Sequence, residues 1–538
     1  MKYLTDVIKP LDYLGWGDSD IYIQAPTGCG KTYFILHNIV PMAMQRGTGV
    51  LILCNRKNLL LQYNNDIIAQ NQELVKCGND NLFRYLNDGM LLVTTYQAIA
   101  ASSKYDQIIA RFGVVVCDEV HALYADSQFA TNLYIAFDKI LQWSFGRLML
   151  FVSATAEHIF PILYHEKWKR CYSDFYFEQV DWNQNQSIPG YYKVEADYSF
   201  CEVKYLREIE QIPSLIQQDQ DLNSKWIVFV PSIGEGKAIE KGLRRIGQTD
   251  VFLLTKKSAS SVQGEKICEQ LTRYHTFEPR ILISTPVLEA GVSVCELNVK
   301  NVIDLHFLRE SFVQTLGRKR LQQGEQINLY ILNRGKVFFS RKKNFGGQIL
   351  KEASVIDSKV QSQYIQGYIA NRLLEKNEEI EALKTFLFCD VSGKYQINPI
   401  SQKKARDDYN FYTEMVRLLA LDKTAFIRRQ LLWLGLGQSY SEDNWIKEFR
   451  NDEIEKEVLG YLEKSVDGTP MDRAAFSKFK LELSRLFHRL FPEEPFRSDR
   501  PMCTSKLVRK MKSMNLPFDI VSENVDRKKQ YRVVKKCC

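Results

Sequence analysis

The 538-residue chain has no stretch approaching the ~20 consecutive apolar residues that a membrane-spanning helix requires. Its opening, MKYLTDVIKPLDY, lacks the apolar core of a secretory signal. Both absences speak against a membrane partner. The twelve cysteines form no C-x-x-C, and only Cys537 and Cys538 adjoin. Zinc ribbons and disulfide frameworks are therefore not indicated, which points to a reducing, cytoplasmic setting. Histidine is scarce and never paired at the spacing of a metal nuclease, so an intrinsic nuclease is disfavoured. No repeat of fixed period and no low-complexity tract is present. Charge of one sign is missing from the body of the chain and gathers at its end. Residues 1–340 are close to neutral, whereas 501–538 hold ten Lys and Arg against three Asp and Glu. A basic appendage on a near-neutral body suggests a polyanionic partner, with a solvated tail as the plain alternative.

What is present is a series of short aliphatic runs: IYIQA, GVLILC, LLVTT, GVVVCDE, RLMLFVSAT, WIVFVP, RILIST and INLYIL, all before residue 335. Such runs fit strands buried on both faces of a parallel sheet. Helical stretches lie between them, including TYFILHNIVPMA, expected to end at Pro41, and RKNLLLQYNNDIIAQ. This alternation predicts a doubly wound α/β fold, whose ligands bind at the carboxyl ends of the strands. The segment from about 156 to 200 is expected to bridge two sheets. Beyond 341, helical patterns dominate, as in residues 362–388 and 409–436. The expected divisions are 1–195, 196–340, a helical region 341–465 and a basic unit 466–538. The last of these reads as a basic helix, a proline break and a hairpin, which resembles the end of a winged-helix unit.

APTGCGKT at 25–32 follows a strand and precedes a helix. Gly28 and Gly30 let the backbone wrap a phosphate, and the helix adds its positive end. Pro26, Thr27, Gly28, Cys29, Gly30, Lys31 and Thr32 are thus expected to bind ATP. Lys31 would meet the β- and γ-phosphates and Thr32 a Mg²⁺ ion. GVVVCDEVH ends a buried strand on two carboxylates, which burial would penalise without a cationic partner. Asp118 would hold Mg²⁺, while Glu119 orients or deprotonates the attacking water.

DEVH resembles the DExH box of superfamily 2 helicases, and SAT at 153–155 resembles their third motif. CNRKNLLLQ and VTTYQAI are similar to motifs Ia and Ib, ILISTPVLEAGVSV to motif V and QTLGRKR to motif VI. The resemblance covers roughly residues 20–335 and implies two tandem RecA-like domains that hydrolyse ATP between them. It implies a relay through His121, and strand-phosphate contacts from Arg56, Thr94, Thr95 and Thr285. Gly291 falls at the nucleotide-facing position of motif V, with Thr285 and Glu289 matching beside it. In motif VI, Gln314, Gly317 and Arg318 match, but the second arginine falls one residue early, at Arg320, and Leu321 holds its slot. Arg318 and Arg320 would reach the γ-phosphate from the second domain.

The resemblance implies a helicase or translocase on nucleic acid, with DNA favoured over RNA by the form of motif V. The alternative is a nucleic-acid-activated ATPase switch that signals to a protein partner engaged through the C-terminal region. Lys506, Arg509, Lys510, Arg527 and Lys528 are the further phosphate contacts expected near the C-terminus.

Overall fold

The computed structural model describes residues 2–77, 79–171, 190–221, 223–285, 293–322, 324–357, 367, 384–389, 393–446, 452–466, 470–490, 501–514, 516–525 and 528–535. Two six-stranded, wholly parallel sheets make the first two thirds of the molecule. The first runs β3-β2-β4-β5-β1-β6, with β1 Asp20–Gln24, β2 Gly49–Cys54, β3 Leu91–Thr95, β4 Phe112–Asp118, β5 Leu148–Ser153 and β6 Tyr191–Lys193. Every residue of β2 and β5 is buried, as helices on both faces require. The second runs β7-β12-β11-β8-β10-β9, with β7 Cys201–Leu206, β8 Lys225–Phe229, β9 Val251–Leu254, β10 Ile281–Ser284, β11 Val299–Asp304 and β12 Ile327–Leu332. The arrangement is that of tandem RecA-like domains.

The segment expected to bridge the sheets contributes β6 to the first of them, beside β1. The helix starting at Lys31 does not stop at Pro41. It passes through a π-helical turn, Ile35–Ile39, and continues as Val40–Gln45. The wider turn stands directly ahead of the proline, where the missing N–H would otherwise interrupt the ladder. The helices used below are α1 Lys57–Lys76, α2 Arg309–Leu316, α3 Pro399–Leu421, α4 Ala425–Trp433, α5 Asp452–Val466, α6 Arg473–Leu490 and α7 Thr504–Ser513.

The helical pattern over 409–436 forms two helices, α3 and α4. Asp422 separates them by accepting from both the N–H and the hydroxyl of Thr424 at 2.8 and 2.7 Å. Most of the pattern over 362–388 lies outside the described residues. Its end is extended rather than helical, pairing Leu387–Cys389 (β13) with Tyr395–Ile397 (β14).

The accessory helices are built into both domains. Ile400 belongs to the first domain's core, while Ile427, Leu431, Leu434 and Trp445 complete the second's. Trp445 also bridges in parallel to Tyr205 on the edge strand β7.

The C-terminal unit has its own core, formed by Val458, Leu462, Phe476, Leu483, Leu507 and Phe518 among others. Its order is helix, isolated bridge, helix, helix, hairpin: α5, Met471, α6, α7, then β15 Phe518–Val525 against β16 Lys528–Lys535. Met471 makes an isolated antiparallel bridge to Tyr531, beside the two-stranded hairpin. The sequence reading places α5 with the accessory region, but Val458 and Leu462 pack in this core.

Candidate ATP site and strand interface

The phosphate loop forms because two glycines take backbone angles that side chains disfavour: Gly28 at φ 94° and Gly30 at φ 82°. Cys29 points inward, its Sγ 2.9 Å from the Pro26 carbonyl, and burial pushes its thiol pKa up. Lys31 is buried, with Nζ 3.2 Å from the Ala25 carbonyl and 3.7 Å from Glu119 Oε1. Thr32 follows it, partly exposed.

At the end of β4, Asp118 accepts from the Tyr63 hydroxyl of α1 at 2.7 Å and from the Glu119 N–H at 2.9 Å. Burial, and then the neighbouring Glu119 charge, pushes the Asp118 carboxyl above its ordinary range. Burial acts on Glu119 in the same sense, but the Lys31 charge first, and those of Arg318 and Arg320 after it, outweigh it and hold that carboxyl low. The adjacent carboxylates are thereby driven apart, one towards proton retention and one firmly ionised. Glu119 also has φ 49°, a left-handed conformation that a non-glycine residue adopts only when its surroundings impose it.

His121 links the domains. Its Nδ1 lies 3.1 Å from Ser153 Oγ, and its Nε2 lies 2.5 Å from Gln314 Nε2 of α2. Burial lowers the imidazole pKa, so the neutral ring can accept from the Gln314 amide while its other N–H donates. Gln314 also reaches Thr155 Oγ1 at 3.4 Å, and Ser153 Oγ donates to the Thr155 carbonyl at 2.9 Å. DEVH, SAT and QTLGRKR therefore converge on one buried hydrogen-bonded cluster.

Gly317 abuts Thr27 of the phosphate loop. Arg318 is buried, and its charge bears on Glu119. Arg320 donates from Nε to Ser293 Oγ at 3.0 Å, and burial lowers its pKa. Arg318 and Arg320 are held in place by backbone bonds on either side of Val294: its N–H to the Arg318 carbonyl, 2.7 Å, and the Arg320 N–H to its carbonyl, 2.8 Å. Gly291 and Glu289 lie outside the described residues. Among the described residues, no group of three or more His, Cys, Asp or Glu could hold a metal by itself.

Residues 2–158 match the family model described as type III restriction enzyme, res subunit. The match falls within the first of the two parallel-sheet domains. Three similar solved structures are Mycobacterium smegmatis helicase Lhr bound to ssDNA and AMP-PNP, Mss116p bound to ssRNA and AMP-PNP, and the DUF1998 helicase MrfA bound to DNA and AMPPNP. Their identities are 16%, 16% and 14%, with TM-scores of 0.40, 0.45 and 0.41. The matches cover 72%, 82% and 61% of this chain and 58%, 90% and 48% of theirs. The chain thus spans less than two thirds of Lhr and of MrfA. At such identities the likeness is one of fold. No curated protein matches the chain.

The residues expected to touch a strand are spread over the two parallel-sheet domains. Arg56 caps the start of α1, with Nη2 3.4 Å from Asp126, which also accepts from Asn55 at 3.1 Å. Thr94 is buried against the Tyr105 hydroxyl, 2.9 Å away, whereas Thr95 caps the next helix by accepting from the Ala98 N–H. Thr285 is buried, its hydroxyl 3.2 Å from the Leu254 carbonyl.

In the C-terminal unit Arg509 and Lys512 are exposed, Lys506 is partly covered and Lys510 is buried. A shared basic face on α7 therefore excludes Lys510: it lies beside Met511 in the sequence, on the side packed into the unit's core. On the hairpin, Arg532 pairs with Glu523 at 2.9 Å and Lys535 with Glu463 at 3.9 Å. Arg527 lies outside the described residues, and Lys528 opens β16 opposite Val525. No described helix is long and apolar enough to cross a membrane.

The sequence reading missed Tyr63, which holds Asp118, and Ser293, which holds Arg320. Nothing local marks Tyr63, and Ser293 lies within the string similar to motif V without a sign of its contact to Arg320. Only the pairing of distant segments gives them a role.

Proposed function

We propose that this chain is a DExH-type helicase or translocase that hydrolyses ATP with Mg²⁺ between its two RecA-like domains while holding a nucleic-acid strand, DNA in preference to RNA. The observation that carries this reading is the His121–Gln314 contact, which joins the acidic strand end of one domain to the helix that leads into Arg318 and Arg320 of the other. Beside it stand a phosphate-sized glycine cradle and a lysine. A nucleotide fits this set: Lys31 is the cation for phosphate, and Glu119 Oε2 is buried without a hydrogen-bond donor.

Asp118 and Thr32 would hold Mg²⁺. Each Asp118 oxygen receives one hydrogen bond and retains a lone pair. The ion, when bound, would neutralise developing phosphate charge. Glu119, ionised by Lys31, is the group suited to orient or deprotonate water. Arg318 and Arg320 bring positive charge to the same point from the second domain, making hydrolysis depend on closure. Arg56, Thr95 and the exposed Arg509 and Lys512 are the residues best placed to meet strand phosphates.

Turnover measured with and without single strands, alongside displacement of matched DNA and RNA duplexes, tests the proposal. Stimulated turnover with displacement supports it. Stimulated turnover with no displacement or movement would instead favour a switch that signals to a partner, and no turnover at all would refute both.

A further inference from the structure

Helix α2 touches the first domain at more points than its motif residues explain. Gln314 and Gly317 reach His121 and Thr27, but at the helix's start Arg309 Nη1 lies 2.5 Å from Glu157 Oε1 and Glu310 Oε1 lies 3.3 Å from His158 Nε2. Positions 310, 314 and 317 are spaced four and three apart, so they share one side of the helix. Glu157 is additionally fixed by Gln24 Nε2 at 3.1 Å, and Gln24 by the Tyr191 hydroxyl at 2.6 Å. The acceptor for Arg309 is thus mounted on the end of β1 and the start of β6.

His158 faces a third body. Its Nδ1 lies 3.6 Å from Asp407 of α3, and its ring stacks on Tyr124 at 4.9 Å and 9°. The Tyr124 hydroxyl donates to the same Asp407 carboxylate at 2.8 Å. Lys403 pairs with Asp407 from one turn away, and the buried Lys404 pairs with Asp408 at 2.6 Å beneath the Tyr124 ring. Two further bonds clasp α3 to the first domain: Ser401 Oγ to the Ser127 carbonyl, 2.7 Å, and Asn398 Nδ2 to the Thr131 carbonyl, 3.0 Å. On its other side α2 packs Phe312 against Trp433 of α4, with ring centroids 5.6 Å apart.

We infer that Glu157 and His158 are positioning residues for the ATP site, forming a joint at which the first domain, helix α2 with the arginines that follow it, and the accessory helix α3 meet. Glu157 holds the start of α2 so that Gln314 near its end, and Arg318 just beyond it, come into register. His158, clasped between Glu310 and Asp407, ties that register to the accessory region. Pulling α2 away would strand a largely covered carboxylate without its arginine, so the joint favours two discrete arrangements over a continuum.

The inference rests on the cleft being the ATP site, and two measurements on the full chain keep its fate separate from that reading. In steady-state hydrolysis, Glu157→Arg and Arg309→Glu should each lower kcat by roughly ten- to a hundredfold, as small misplacements of reacting groups do. The double exchange should recover most of the loss. Asp407→Asn should lower kcat in the parent chain and have little further effect in a His158→Ala background. Singles that keep kcat in the folded fraction, a swap without rescue, or additive losses at 158 and 407 would each overturn the joint.

The second measurement needs no hydrolysis. Energy transfer between dyes on unnatural amino acids at the exposed positions Ile68 and Val262 reports the separation of the domains. Glu157→Arg should shift the distribution, and the double exchange should shift it back. An unchanged distribution overturns the inference even if the chain hydrolyses ATP. A restored shift in a chain that hydrolyses nothing preserves the joint and removes the ATPase reading alone.

Discussion

A Cβ placed on Gly317 would lie 1.4 Å from Thr27 Oγ1 and 2.5 Å from Thr27 Cβ. The turn after α2 and the phosphate loop therefore approach as closely as a bare backbone permits. Gly317→Ala should keep the fold of each domain and block their closure. Turnover is expected to fall by about 10²-fold or more, through displacement of the arginines that follow. Thr27→Gly in the same chain should restore part of it. Equal turnover in Gly317→Ala and the parent would show that hydrolysis does not use this closed arrangement.

Lys31 and Glu119 stand 3.7 Å apart, and the proposed function gives them separable duties. Lys31→Ala should weaken nucleotide binding, whereas Glu119→Gln should leave binding near normal and slow hydrolysis by about 10²–10³-fold. Equilibrium binding of a labelled non-hydrolysable analogue, measured beside turnover, separates the two. Near-normal turnover in Glu119→Gln would remove it from the chemistry.

The His121–Gln314 contact predicts coupling rather than two independent losses. In a double-mutant cycle on turnover, His121→Ala and Gln314→Ala should interact by about 0.5–3 kcal/mol, the range for residues in contact. Strict additivity would mean that the contact is not formed in the working state.

Glu157 makes stability depend on pH in a defined direction. Burial raises its carboxyl, but Arg309 outweighs burial and holds it below the ordinary 4.5. The folded chain therefore binds fewer protons there than the unfolded one. The stabilisation is present above about 4.5 and is lost as pH falls through the lowered folded value. Glu157→Gln should depress Tm at pH 7, and the gap to the parent should close under acid. A gap that is constant with pH would mean that the ion pair contributes nothing.

The basic C-terminal unit calls for point substitutions, because its core includes Leu507, Met511, Phe518 and Val533 and a deletion would unfold it. Arg509→Ala and Lys512→Ala should each flatten the salt dependence of strand binding by roughly 0.7–0.9 in log–log slope for every phosphate that is no longer neutralised. Lys510→Ala should lower thermal stability and leave the slope alone. An undiminished slope in the Arg509/Lys512 double substitution would exclude α7 as a grip.

Eight of the twelve strands in the two large sheets announce themselves as aliphatic runs. The other four do not, three of them for identifiable reasons. β6 is only three residues long, whereas the apolar run VFLL of β9 is as long as β10 and has no physical reason to be passed over. β7 is an edge strand that places Glu202 and Lys204 on its open face, and β11 carries Lys300 and Asn301 within it. The motifs of the proposed ATP site are legible as local strings, most of them at strand ends, with QTLGRKR running from α2 into the turn after it. Their supports are not. Tyr63 meets Asp118, and Arg309 meets Glu157, only after sheets and helices have assembled, and the single residues carry no local signature. Pro41 misled because a π turn can accommodate a proline that an uninterrupted α-helix would reject.

The insertion of Ile400 into one RecA-like core, and of Ile427, Leu431, Leu434 and Trp445 into the other, has a consequence for synthesis. Strands that emerge early from the ribosome must wait for side chains encoded far downstream, beyond the last strand of the first sheet and the whole of the second. Until residue 445 is clear of the tunnel, the second domain carries an open apolar socket and an uncovered β7 edge. Partners this distant in sequence slow folding and leave sticky surface waiting. A message interrupted after codon 340 would yield every ATP-site motif in a chain prone to aggregate rather than a minimal motor.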